Sequence, residues 1–382
     1  MSALRGSGGT IKLLRHFYRG ELIVPSRSAR PLRIVGERGV RVESLLLYHT
    51  QHVSVGRLTI TPATTDGLLG IYGSRYIDVH DVLVTAAGTR FHANVHVRGS
   101  SHVMIRGSEF RHCGDRSPFR ANCLHLQPPT RHVQIVGNWF HDCRGCDFLH
   151  GRFGFDLTVR GNRFERALPC FWADRSRCGH QDLIQLFSGR KMLVEGNSFG
   201  VYRFGAAQVY LVWRVDHVTI VNNVFLGTDP RVPGYHARVA LIIGSHGSTL
   251  VPRYATVMNN TILTGKRRID GYAGSIRMST VYGRVPLQKR PLLANNVIGL
   301  LEDPHHVCTV ARAAVSNVVL RGMACRGFNV VGDAHLDPFG RPTAASTLLI
   351  DQATPGYAPR LDLARRVRGH WPDIGAYEYR GR

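Results

Sequence analysis

Short runs of apolar residues recur along this chain, each closed by a polar position and then an aromatic one. HVMIRGSEF (102–110), HVQIVGNWF (132–140), DLTVRGNRF (156–164), KMLVEGNSF (191–199) and HVTIVNNVF (217–225) are five copies, set at intervals of 24 to 35 residues. Each copy reads as a short strand, a turn and an aromatic residue. Self-similarity at this period marks a solenoid, and strands this short with so little helical periodicity point to an all-β, single-domain parallel β-helix. Aligned on the turn position, the column reads Leu58, Val82, Ser108, Asn138, Asn162, Asn197, Asn223, Asn260, Asn296. That makes nine coils, with a tenth expected near VSNVVLRG (315–322). Asparagines stacked at one corner can hydrogen-bond along the axis and satisfy buried polar groups there. Phe110, Phe140, Phe164, Phe199 and Phe225 are expected to form an interior stack.

A second strand is expected fifteen residues before the turn column, beginning ANVHVRG at 93, CLHLQPP at 123, DFLHGRF at 147, DLIQLFS at 182 and QVYLVWR at 208. Neighbouring coils lie about 4.8 Å apart, so residues in one column become neighbours in space. This register stacks Ala93, Cys123, Asp147, Asp182 and Gln208, and three positions on it stacks His96, Leu126, His150, Gln185 and Leu211. The column between contributes His125 and Tyr210, and further along come Arg98, Arg152, Trp213 and Arg214. Strict alternation sends His150 and Arg152 to one face and Asp147 to the other, unless the strand bends.

Residues 1–45 read as an N-terminal cap and entry coil, 46–330 as the coils, and 331–382 as a covering segment over the last turn. Pro338, Pro342, Pro355, Pro359 and Pro372 take that last stretch out of the coil pattern. Open strand edges at the ends of a solenoid invite aggregation, so such covers are expected.

The entry segment ARPLRIVGERGV, the GNxF and NNxF turns and the ending PDIGAYEY carry a resemblance that covers nearly the whole chain. It resembles the right-handed parallel β-helix proteins of the pectate-lyase-like superfamily. The resemblance implies the right-handed fold and a place among polysaccharide lyases, glycoside hydrolases, epimerases and phage tailspikes. The complete catalytic signature of no one of these families is present. The Asn-Thr-Asp, Asp-Asp and His-Gly set of polygalacturonases is not reproduced.

Charge sharpens the choice of partner. With 49 Lys and Arg against 26 Asp and Glu, the chain carries +23, a field that attracts polyanions. An acidic polysaccharide or oligosaccharide fits. Nucleic acid is disfavoured, because no binding module and no regular aromatic–basic stripe is present. No apolar run is long enough to span a membrane.

The eight cysteines suggest local pairs 113–123, 170–178 and 308–325, while the CRGC at 143–146 reads as a tight disulfide, two thiols or half a metal site. No second CxxC exists, which argues against structural zinc. Cysteine usage points to a secreted or cell-surface protein, with a cytoplasmic one as the alternative. No secretory leader is legible in MSALRGSGGTIKLLRHFYRGELIV.

Two chemistries follow. Elimination or epimerisation of a uronate needs a base at the C5 proton and a cation at the adjacent carboxylate. His150 is the expected base, Arg152 the cation and Tyr210 the acid. His125, Gln185, His180, Trp213, Arg214 and Trp172 are expected to contact substrate. Asp147 and Asp182, in one column on adjacent coils, instead have the spacing of a retaining glycoside hydrolase pair or of a calcium site. A non-catalytic glycan-binding or adhesion module would use the same face.

Overall fold

A computed structural model describes all residues except 1, 4–8, 15, 25–29, 62–68, 86–92, 114–120, 169–180, 201–206, 227–238, 245–249, 264–274, 302, 328 and 382. The chain divides into two compact units, Met1–Gln185 and Leu186–Arg382. Each is built from parallel strands stacked coil on coil. This is the expected β-helix, and parallel crossovers of this kind are right-handed.

In the first unit each coil gives one strand to each of three sheets. One coil supplies Leu69–Tyr72, Arg75–His80 and Leu83–Thr85; the next supplies Ala93–Arg98, Ser101–Arg106 and Glu109–Arg111. The third supplies Ala121–Gln127, Arg131–Val136 and Trp139–His141. In the fourth, the first two strands fuse into Cys146–Arg160, followed by Arg163–Glu165. The alternating apolar positions of the second sheet stack in register: Val53, Ile77, Val103, Val133 and Leu157 form one buried column.

The corner between the second and third sheets explains the repeat. The residue before the turn column is left-handed at every coil, as at Gly107, Gly137 and Gly161 in the first unit and Gly196, Asn222, Asn259 and Asn295 in the second. Only glycine, and to a lesser degree Asn, adopts that conformation cheaply, so the motif reads GN or NN. The next residue turns inward. The backbone N–H of Asn138 donates to Asn162 Oδ1 at 2.9 Å, and in the second unit the chain of bonds runs Asn197, Asn223, Asn260, Asn296, Asn317 and Asn329. The bond from Asn296 to Asn317 confirms the tenth coil. Phe110 stacks on Phe140 at 4.6 Å and Phe140 on Phe164 at 5.0 Å; Phe199 stacks on Phe225 at 4.5 Å in the second unit. These rings are fully buried. A second polar ladder, which no motif announced, lines the opposite corner: Thr50 N–H donates to Ser74 Oγ and Ser74 N–H to Ser100 Oγ, both at 3.1 Å.

The C-terminal segment runs back along the left-handed asparagines of several coils. Asn259 and Asn295 donate their side-chain amides to Asp373 O and Thr354 O. Buried Arg368 donates to Asn222 Oδ1 at 3.0 Å and pairs with Glu378 at 2.8 Å. The outward amides of the NN motifs supply this docking line, which is why the segment follows it.

Candidate functional site

On the first sheet of the first unit, the register stacks Leu46, Gly70, His96, His125 and His150 in one column. Tyr48, Tyr72, Arg98 and Gln127 form the next outward column, two residues on. The expected register was one residue out at the middle coil. Asn122, not Cys123, pairs with Ala93 and Asp147, and His125, not Leu126, pairs with His96 and His150. The cause is local. Arg98 pairs with Gln127 and Ser101 with Arg131, so Pro128, Pro129 and Thr130 occupy a corner that takes only Gly99 and Ser100 one coil earlier. The added residue brings three histidines into line.

The rings touch along the column: His96 to His125 at 4.9 Å and His125 to His150 at 5.2 Å between centroids. Tyr48 stacks on Tyr72 at 5.0 Å, and Tyr72 meets His96 edge-on at 6.3 Å. Gly70 makes this possible, because a Cβ there would run into the Tyr72 ring. Gly151, at φ 127°, lets the strand pass against the Leu126 carbonyl in the same way. Burial, and then the neighbouring histidines, push the His125 pKa down to about 3, so its ring is neutral at ordinary pH. Arg98 and Arg152 are exposed beside this column.

Asp147 does come round to His150. Its Oδ2 lies 3.8 Å from His150 Nε2, while its Oδ1 accepts the backbone N–H of Asp182 at 2.7 Å. The strand therefore bends enough to override strict alternation. Asp147, Asp182 and Gln185 are all buried, Asp182 completely. Calcium takes six to eight oxygen ligands. Two buried carboxylates, one oxygen of which already holds a backbone amide, do not make such a cage, and the described residues gather no acidic metal cluster around them.

Tyr210, Trp213 and Arg214 belong to the second unit, on the strand Ala207–Val221. Tyr210 packs on Ala207, Val239 and Ile242. Trp213 lies 5.2 Å from Phe187, and Arg214 is exposed. Trp172, His180 and the Cys170–Cys178 pair lie outside the described residues. Cys113–Cys123 and Cys308–Cys325 are joined as expected, and the CRGC closes as Cys143–Cys146.

Two polar features escaped the sequence reading. The head of each repeat motif is left-handed at His52, Tyr76, His102 and His132, an unusual conformation for bulky residues. Their rings stack at 4.7, 4.7 and 4.6 Å. Tyr76, His102 and His132 border a cleft of about 500 Å³ lined also by Asp78, Arg106 and Asp156. The recurring first letter of the motif was the available signal. On the third sheet, buried His141 sits between Glu109 at 3.0 Å and Asp142 at 2.7 Å. No spacing in the sequence announces that cluster.

No family model and no curated protein matches the chain. Among solved structures it is similar to the Dettilon tailspike protein gp208, at 10% identity and TM-score 0.46 over 84% of this chain and 61% of that one. It is also similar to pectate lyase Pel9A, at 14% and 0.45 over 97% and 86%. A third likeness is to the PL6 family alginate lyase AlyGC, at 11% and 0.39 over 92% and 56%. The chain thus spans about three-fifths of the tailspike's length.

Proposed function

We propose that the histidine column of the first sheet acts on an acidic, uronate-containing polysaccharide by abstracting the C5 proton. The observation that carries this reading is the alignment of His96, His125 and His150 beside exposed Arg98 and Arg152, next to the Tyr48–Tyr72 stack. Arg152 neutralises the uronate carboxylate and so stabilises the charge that develops when C5 loses its proton. His150 takes that proton, with Asp147 holding the ring from one side. In elimination the C4–O bond breaks as the C4–C5 double bond forms, and the imidazolium of His150 returns its proton to the departing oxygen. In epimerisation an acid on the opposite face, a water or a second side chain, delivers a proton to C5, and His150 passes the one it took to solvent. Neutral His125 keeps a second positive charge from forming beside His150. The net charge of +23 supports capture of a polyanionic chain, and the disulfides support a secreted or cell-surface setting.

The test is a screen of the purified chain against alginate, pectate, glycosaminoglycans and neutral glycans, following ultraviolet absorbance and reducing ends together. Elimination gives both signals, and both are lost in His150→Ala and Arg152→Ala. Deuterium uptake at C5 without cleavage identifies epimerisation. Reducing ends without absorbance transfer the reading to hydrolysis by Asp147 and Asp182. Binding without turnover identifies a glycan-binding module, the second reading, which the outward ring ladder from His52 to half-buried His132 favours.

A further inference from the structure

Four of the eight cysteines meet at one point of the first unit. Cys113 ends one coil and Cys123 begins the next strand, while Cys143 and Cys146 occupy the same corner one coil on. The backbone ties these corners together: Arg144 N–H donates to Cys113 O at 3.1 Å, and Ala121 pairs with Cys146. All four side chains are buried. The sulfurs of Cys113, Cys123 and Cys146 lie within 4.8 Å of one another, and Cys143 is bonded to Cys146. The two disulfides are thus immediate neighbours.

Four thiolates around a zinc ion stand about 3.8 Å apart, given Zn–S bonds of about 2.3 Å in a tetrahedron. The Cys146 sulfur lies within 4.8 Å of those of Cys113 and Cys123, and reduction frees that bonded pair to spread to this spacing. Cys143 and Cys146 sit on a short turn whose Gly145 is left-handed, so both reach the point from one loop. The absence of a second CxxC argued against zinc in the linear sequence. Coil stacking supplies the other two ligands from a pair ten residues apart. Soft thiolate donors select zinc over hard cations.

We propose that Cys113, Cys123, Cys143 and Cys146 form a single four-sulfur cluster that exchanges its two disulfides for one tetrahedral zinc ion when the chain is reduced. Each disulfide takes two electrons and two protons from a thiol or phosphine reductant, giving four thiols. Zinc then displaces four protons and closes a structural site with no open position. The disulfides close the two stacked corners separately, whereas the zinc ion ties one corner to the other.

The experiment uses the full chain reduced with a phosphine, freed of reductant without air, and loaded with zinc or cobalt. The expected result is about one tightly held metal per chain. Cobalt should give the charge-transfer and ligand-field bands of a tetrahedral thiolate site. Zinc should protect Cys113, Cys123, Cys143 and Cys146 from alkylation, read by peptide mapping. Cys146→Ser should lose the metal, and the double variant Cys308→Ser/Cys325→Ser should keep it. The wild-type alkylation map stands even if Cys146→Ser does not fold. Reduced, folded protein that holds less than a tenth of a metal per chain overturns the proposal. So does protection confined to other cysteines, or loss of the fold before the four thiols appear.

Discussion

Replacing Asn260 by Ala tests the corner ladder at its most constrained point. Asn260 is fully buried. Its Oδ1 accepts the backbone N–H of Asn223 at 3.0 Å, and its Nδ2 reaches Ile220 O at 2.9 Å, Met258 O at 3.0 Å and Asn296 Oδ1 at 3.0 Å. Alanine orphans the Asn223 N–H, a buried donor worth about 1–3 kcal/mol when unsatisfied. The two carbonyls each lose a bond worth about 0.5–1.5 kcal/mol net. The expected destabilisation is therefore about 4 kcal/mol, within a range of roughly 2–6. Asn329→Ala, at the half-buried end of the same column, should cost about 1–2 kcal/mol because solvent can replace what is lost. Urea unfolding followed by circular dichroism measures both, with the midpoint compared at equal slope. A loss below about 1 kcal/mol for Asn260→Ala, or equal losses at the two sites, would refute the claim that the ladder's buried bonds hold the corner.

Other outcomes follow from the same geometry. His125 titrates near 3 in the folded chain against 6.5 ordinarily, so the unfolded chain binds more protons between those values. Its contribution is complete above about pH 6.5 and is lost as pH falls towards 3, amounting to about 2 kcal/mol by pH 5. Urea melts of His125→Gln should show a correspondingly flatter acid limb. Arg368→Met strands Glu378 in a buried site and should cost about 3–5 kcal/mol, read as early proteolytic cleavage within residues 331–382. Gly70→Val drives its side chain into the Tyr72 ring and should weaken glycan binding while His150→Ala leaves it intact, as affinity electrophoresis on the turned-over polymer would show.

The fold was legible because one corner imposes a backbone rule. A left-handed residue followed by an inward hydrogen-bonding one can be written in few ways, so GN and NN repeat visibly. The opposite corner uses Thr50, Ser74 and Ser100, residues too common to stand out. The candidate face was legible as a polar density but not in its register. Pro128 and Pro129 add a residue to a corner, and counting back from Asn138 cannot see on which side of the strand that residue falls. Tyr48 and Tyr72 were missed because their place depends on Gly70, which reads in the sequence as an ordinary turn or strand breaker. Asp182 illustrates a different limit: its backbone N–H meets the Asp147 carboxylate, but whether a carboxylate faces solvent is decided by what packs over it.

The docking of the last segment gives the second unit an order of assembly. A solenoid can in principle add coils as they emerge, each templated by the one before. Asn222, Asn259 and Asn295 interrupt that progression, because their outward amides bond to residues 354–375. These contacts join positions up to 146 apart in sequence, so they form late and their loop-closure entropy falls on the final step. Until that stretch arrives, the coils are stacked but unlatched. A ribosome-bound or truncated chain ending before residue 354 should therefore hold its strands yet remain open to protease, and residues 354–375 act as the bolt on the coils of the second unit.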